Sequence, residues 1–295
     1  MTPPVYAAAL TPFTEDGALS LTQLPPYLEY LLARGVRGLL VLGTNGEFAS
    51  LTAGERRAVL EAYLEAVEGR VPVVVNVGAT AVSEVLALVR HASHVGADAA
   101  ALLPPYYYPL TDKGFTALAE AAAEAFGKPL YLYNIPRYTG YAIPATVVAE
   151  CVERGLARGL KDSSQDLAYF TEVRARAPRA ELFVGSDTTL VEGLEAGADG
   201  VVSGLANTYP DLIVAVVRAF ADGSSELSTW RERLLGVRTL FGRYPYLAAT
   251  RYALQLRGLH LGPPRRPLID LDAAGREELA RTLDPLHHTL EEVPR

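Results

Sequence analysis

Along most of the chain one arrangement of apolar and polar positions returns. An amphipathic stretch at helical spacing leads through a glycine-containing connection into a short apolar run, which ends in a polar or glycine-rich segment. The segments "ARGVRGLLVLG", "HVGADAAALLP", "ERGLARGLKDS" and "EAGADGVVSGL" share it, each with a glycine suited to ending a helix on a left-handed residue. The apolar runs predict strands at Val5 to Ala9, Leu39 to Leu42, Val73 to Asn76, Ala99 to Leu103, Leu130 to Tyr133, Leu156 to Leu160, Leu182 to Val184 and Gly200 to Val202. Eight strands alternating with helices predict an α/β fold of the (β/α)₈ TIM-barrel type over residues 1–221. No GxGxxG follows the first strand, so an open dinucleotide-binding sheet is disfavoured. Helical spacing continues in "STWRERLLGVRTLFG", "YPYLAATRYALQLRG" and "AAGREELARTLDPLHHTLEEV", which makes residues 222–295 a C-terminal helical extension. Between the last two helices, the prolines of "LGPPRRPLIDLD" mark a loop.

A barrel of this kind collects its chemistry at the carboxyl ends of its strands. Here those ends read "LTPF", "GTNGEF", "NVGAT", "PPYYY", "YNIPRYTG", "KDSS", "GSD" and "SGLAN". Composition narrows the chemistry. With 49% apolar and 21% charged residues among 295, the chain reads as a soluble globular protein. Its formal net charge of −7 argues against a nucleic-acid or membrane-surface binder. No leader-like amino terminus and no long apolar segment is present, so a cytoplasmic protein is expected. The single cysteine, Cys151, lies in a helical apolar context and reads as a packing residue.

Lysine is scarce: three residues against 24 arginines. Lys113 falls in the turn-like "LTDKG" and Lys128 in a helix-to-strand connection, whereas Lys161 stands at the end of the sixth strand. An arginine cannot do what a partly buried amine can, namely shed a proton and attack a carbonyl. The plainer reading is a structural lysine paired with Asp162. A Schiff-base lysine needs a proton shuttle and donors for a substrate carboxylate. Tyr133, at the end of the neighbouring strand, is the candidate shuttle, or else an aromatic plug in the barrel mouth. Thr44 and the two glycines of "GTNGEF" suit an anion or a hydroxyl relay, or simply a tight turn.

Taken together and in order, "GTNGEFASLT", "PPYYY", "YNIPRYTG", "GLKDSS", "FVGSD" and "GVVSGLAN" resemble the dihydrodipicolinate synthase and N-acetylneuraminate lyase superfamily of class I pyruvate aldolases, over nearly the whole chain. The resemblance implies that Lys161 forms a Schiff base with pyruvate, without a cofactor or metal. It implies that Tyr133 is the general acid/base and that Thr44 links it to Tyr107. In such enzymes that second tyrosine crosses a dimer interface, so a homodimer or homotetramer is expected. The N–H groups of Thr44 and Asn45 would hold the pyruvate carboxylate, and the Val202 carbonyl would approach from the eighth strand.

Two departures bear on the second substrate. The synthases carry an arginine directly before Thr-Gly in the fifth-strand motif, where it binds the carboxylate of an aldehyde; here Tyr138 holds that place and Arg137 precedes it. Asn45 stands where the synthases carry a second threonine. Losing a bidentate guanidinium removes the best carboxylate partner, and Arg137 is expected to point elsewhere unless the loop shifts. The motifs also resemble 4-hydroxy-2-oxoglutarate aldolases and 2-keto-3-deoxy-sugar-acid aldolases. In the latter, positions matching Ser163 and Asp187 contact substrate hydroxyls, the plainer readings being a helix N-cap and a turn residue. We therefore expect a lyase that cleaves or forms a 2-oxo acid with pyruvate and a small aldehyde, with the synthase as the alternative and a non-catalytic 2-oxo-acid binder as a third reading. A metal-dependent barrel is disfavoured because His91, His94, His260, His287 and His288 all lie away from the strand ends. A phosphate cradle at "GADGVVSGLAN" lacks an adjacent basic residue.

Overall fold

Eight short parallel strands close on themselves in the computed structural model, which describes residues 2–291 without the side chains of 287–291, so His287 and His288 lie outside the described side chains. The strands are β1 (Val5–Ala8), β2 (Gly38–Val41), β3 (Val73–Asn76), β4 (Ala99–Leu102), β5 (Leu130–Asn134), β6 (Ala157–Asp162), β7 (Glu181–Val184) and β8 (Gly200–Ser203). Each pairs with its successor, and β1 returns to β8 through Val5↔Val201, Tyr6↔Val202 and Ala7↔Ser203. The helices around them are α1 (Leu24–Ala33), α2 (Ala53–Val67), α3 (Val82–His94), α4 (Asp112–Phe126), the single turn α5 (Pro136–Thr139), α6 (Ala145–Glu153), α7 (Leu167–Arg176), α8 (Leu190–Glu195) and α9 (Pro210–Ala221). Three more, α10 (Leu227–Phe241), α11 (Tyr246–Leu256) and α12 (Ala273–Glu291), follow the barrel. The TIM-barrel expectation is met.

Two details differ from the sequence reading. The sixth strand does not stop at Leu160 but runs through Lys161 and Asp162, whose backbones pair with Tyr133 and Asn134 on one side and Phe183 and Val184 on the other. Their polar side chains hid a segment that the ladder holds on both edges. Lys113, read as a turn residue, lies in the first turn of α4, which Thr111 caps by accepting a hydrogen bond from the Gly114 N–H.

One residue from each strand, Tyr6, Leu40, Val74, Ala101, Tyr131, Lys161, Phe183 and Val202, surrounds a void of only about 20 Å³, so the interior is filled and not a pore. Tyr6 and Tyr131 both pack against Phe183, with ring centroids 5.2 and 5.6 Å away. Gly38 and Gly200 make room for these rings, since a Cβ at either would come within 2.4 Å of Tyr6 or 2.6 Å of Phe183. Lys161 is thus the one cation in an otherwise apolar or aromatic layer.

The final helices pack on the barrel and do not stand apart from it. Phe241 of α10 is fully buried, with its ring centroid 6.3 Å from that of Tyr209. Arg257, after α11, pairs with Asp211 of α9 at 2.6 Å, and Arg265 pairs with Glu55 of α2 at 2.6 Å. Cys151 is buried in α6, where desolvation pushes its thiol up to about 11, in keeping with a packing role. Among the described residues, no helix is long and apolar enough to cross a membrane.

Because the ring layer leaves no space at Gly38, Gly38→Ala is expected to destabilise the protein by about 1–3 kcal/mol, the range for overpacking. The check is the urea midpoint at unchanged m-value; a midpoint equal to the parent's would contradict the packing described.

Candidate active site

The fate of Lys161 is decided by the alternation of side chains along β6. Successive residues of a strand point to opposite faces, so Lys161 enters the barrel while Asp162 faces the surrounding helices. Asp162 is engaged there: Oδ1 accepts from Asn134 Nδ2 at 2.8 Å and Oδ2 accepts from Ser164 Oγ at 2.8 Å. Burial raises its carboxyl above the usual range, and these hydrogen bonds hold it down. The structural Lys161–Asp162 pair is therefore absent. Lys161 is 6% exposed, and Nζ lies 3.8 Å from the centroid of the Tyr133 ring, its cross-strand neighbour on β5. No carboxylate of the described residues ion-pairs with it within 4.0 Å.

Tyr133 presents its ring face to the amine and its hydroxyl to Thr44, whose Oγ1 lies 3.1 Å away. The two residues come from opposite sides of the mouth, β5 and the turn after β2. Above them opens a cavity of about 520 Å³ whose wall includes Thr44, Asn45, Tyr133, Lys161, Ser163 and Val202. Arg137, Tyr138 and Asp187 line it as well. Nine of the ten residues singled out from the sequence are thereby brought together.

The tenth, Tyr107, does not line this cavity. It is 81% exposed and forms a T-shaped ring pair with Tyr108, ring centroids 5.1 Å apart. Among the described residues, the side chain of Thr44 therefore meets the Tyr133 hydroxyl and not Tyr107 of the same chain.

Other expectations change in detail. Arg137, expected to point elsewhere unless the loop shifts, lines the cavity together with Tyr138, and "PRYT" forms a helical turn that Thr139 ties down through Ile135 and Tyr141. The Arg137 guanidinium lies 5.2 Å from the Tyr138 ring centroid. Ser163 is not a helix cap; Asp166 caps α7 by accepting from the Tyr169 N–H, while Ser163 Oγ donates to the Gly185 carbonyl at 3.1 Å. Asp187 opens a short 3₁₀ turn, and both of its oxygens are occupied, one by Ser203 Oγ and one by the Leu205 N–H at 3.2 Å. Burial raises its carboxyl, opposed by the Ser203 bond and by the charges of Arg238 and Lys161.

Residues outside those ten complete the wall. Gln165 and Ser186, the latter within the quoted "GSD", come from the turns after β6 and β7, Arg238 and Tyr246 come from α10 and α11, and Tyr244 comes from the connection between these two helices. Arg238 lies on an amphipathic helix with two other arginines, where each reads as a solvated charge, so nothing local marks it. It sits 4.7 Å from the Tyr246 ring centroid and has no ion-pair partner among the described residues. Gly185 and Gly204 are within quoted motifs and are needed for space: a Cβ at Gly185 would lie 2.8 Å from Lys161 Cε, and one at Gly204 would lie 2.6 Å from Asn45 Nδ2. Among the described residues, no group of three or more His, Cys, Asp or Glu is arranged to hold a metal ion.

The arrangement offers a buried primary amine, a phenol hydrogen-bonded to a hydroxyl, and a polar chamber large enough for a small molecule. Comparison with known proteins agrees with it. The chain is 36% identical over 283 residues to an uncharacterized DapA-like lyase of Halobacterium salinarum, covering 96% of this chain and 93% of that one. It is 30% identical over 264 residues to a probable 2-dehydro-3-deoxy-D-pentonate aldolase of Escherichia coli K12, covering 87% and 86%. A crystal structure of an E. coli K12 prophage protein of the dihydrodipicolinic acid synthase family, in complex with pyruvate, superposes with a TM-score of 0.91 at 27% identity over 97% of this chain and 98% of the other. The sequence profile of the dihydrodipicolinate synthetase family matches residues 2–286, so the chain belongs to that family of carbon–carbon lyases.

Proposed function

We propose that the protein is a Schiff-base-forming class I aldolase that cleaves or forms a 2-oxo acid with pyruvate as the covalently held partner. The observation that carries the reading is the buried Lys161 amine, seated against Tyr133 at the floor of the mouth and free of any carboxylate partner among the described residues. A lysine kept only for structure would be ion-paired or solvated at this depth.

In the cleavage direction, Nζ attacks C2 of the 2-oxo acid. Tyr133 delivers a proton to the carbinolamine oxygen, water leaves, and a cationic imine forms. The C3–C4 bond then breaks, its electron pair moving toward the imine nitrogen to give an enamine. Tyr133 takes the proton of the C4 hydroxyl, and the aldehyde departs. Protonation at C3 and hydrolysis release pyruvate and restore the amine. Thr44, 3.1 Å from the Tyr133 hydroxyl, is the relay for these transfers. The N–H groups of Thr44 and Asn45 are assigned to the substrate carboxylate, with Val202 flanking it. Tyr107, exposed in the single chain, is assigned to the relay of a neighbouring subunit in a homo-oligomer.

For the second substrate, the fifth-strand arginine is replaced by Tyr138, and the chamber offers hydroxyl and amide groups from Ser163, Gln165 and Ser186. That lining suits a hydroxylated aldehyde, as released from 2-keto-3-deoxygluconate or a related sugar acid. Arg238 favours a second reading, an aldehyde bearing a carboxylate, such as the glyoxylate released from 4-hydroxy-2-oxoglutarate or the aspartate semialdehyde of the synthase reaction.

Borohydride reduction with pyruvate is expected to leave a stable pyruvyl adduct on Lys161, detected by peptide mass spectrometry; an unmodified Lys161 would refute the reading. Lys161→Arg is expected to abolish turnover with an unchanged far-UV circular dichroism spectrum. Tyr133→Phe should slow imine formation by about 10²–10⁴-fold, and a rate within about threefold of the parent would remove Tyr133 from proton transfer. Pyruvate release from the two 2-oxo acids, set beside condensation with aspartate semialdehyde, ranks the second substrates.

A further inference from the structure

The turn that carries Thr44 and Asn45 is bounded by two residues in a conformation that side chains with a Cβ seldom adopt: Leu42 at φ 59° and Glu47 at φ 54°. Such backbone persists only where the surroundings impose it. At the near end, Asn76 of β3 donates from Nδ2 to the Leu42 carbonyl at 2.9 Å. In the middle, Thr11 Oγ1 donates to the Gly46 carbonyl at 2.7 Å. At the far end the restraint comes from outside the barrel.

Glu47 is buried, with a fully covered side chain, and Arg251 of α11 grips its Oε1 through Nε at 3.1 Å and Nη2 at 2.5 Å. The same guanidinium donates to the Thr11 carbonyl at 2.8 Å and the Leu261 carbonyl at 2.9 Å. Oε2 of Glu47 accepts from the Arg265 N–H at 2.8 Å. One planar fork therefore fastens α11, the loop after it, the turn after β1 and the turn after β2 to one another. α11 also carries Tyr246 into the cavity wall, its hydroxyl 2.5 Å from where a Gly204 Cβ would stand.

We propose that Glu47 and Arg251 are positioning residues that hold the Thr44–Asn45 turn in its pyruvate-binding shape. This rests on the aldolase reading above, which assigns the substrate carboxylate to that turn. A buried pair is a poor source of net stability, because desolvating both ions offsets most of their attraction. Its geometry here fits registration instead: a charge fixed at the end of a left-handed turn, gripped by a rigid fork that three other segments share.

The experiment reads the pyruvate concentration at half-maximal borohydride trapping, together with kcat and Tm. Arg251→Lys keeps the charge but lacks the fork. It is expected to raise the half-saturating pyruvate concentration at least about tenfold, the scale of a misplaced binding group, with kcat at saturating pyruvate within about threefold of the parent. Arg257→Lys is the control, since it weakens a half-buried pair next to the same helix, to Asp211, without touching the turn. It is expected to lower Tm with half-saturation unchanged. If Arg251→Lys fails to fold, Glu47→Gln gives the same readout, because it keeps the size of the side chain and removes the charge that the fork grips. Half-saturation equal to the parent's in the folded variant, or a rise of the same size in Arg257→Lys, would overturn the assignment. A parent that traps no pyruvate at all would instead overturn the aldolase reading on which it stands.

Discussion

An amine buried inside a closed parallel barrel, against the face of a tyrosine ring, is the constraint around which the rest of this molecule is arranged. Lys161 shares a layer with seven residues that are apolar or aromatic, and the pleat of β6 sends the adjacent carboxylate, Asp162, to the other side of the sheet. A cation at that depth with a carboxylate beside it would be a settled ion pair. The alternation of the strand prevents this, and leaves the amine facing a chamber where a carbonyl can reach it.

The sheet also sets the partners. Register places Tyr133 directly across from Lys161, and closure of the barrel brings the turn after β2 over the same mouth, so Thr44 meets the Tyr133 hydroxyl. Three segments far apart in the chain thus converge because each ends a strand of one cylinder. The helices beyond the barrel contribute from the outside: α10 and α11 supply Arg238 and Tyr246 to the wall, and Arg251 reaches the turn after β2. Residues counted as an appendage by position are part of the chamber by contact.

Much of this was legible in the sequence, for a physical reason. Strands covered on both faces need continuous apolar runs, helices that return to the sheet need a glycine to stop on, and catalytic groups at strand ends interrupt the runs with polar letters. Lys161 was conspicuous because a chain that uses arginine for charge had kept an amine there. What escaped was set by contacts distant in sequence. The polar side chains of Lys161 and Asp162 masked the last two residues of β6, which only the neighbouring strands reveal. Arg137 reaches the chamber because "PRYT" coils into a helical turn, a conformation that four residues do not announce. Arg238 and Arg251 look like surface charges on amphipathic helices until the helices are placed, and Tyr107 is exposed and does not line the chamber of its own chain.

The most direct test is a crystal structure of the protein soaked with pyruvate. The account predicts continuous density from Lys161 Nζ to C2 of a three-carbon unit, its carboxylate lying on the N–H groups of Thr44 and Asn45 and the Tyr133 hydroxyl beside C2. Pyruvate bound elsewhere, or held in the chamber without a covalent link to Lys161, would contradict it.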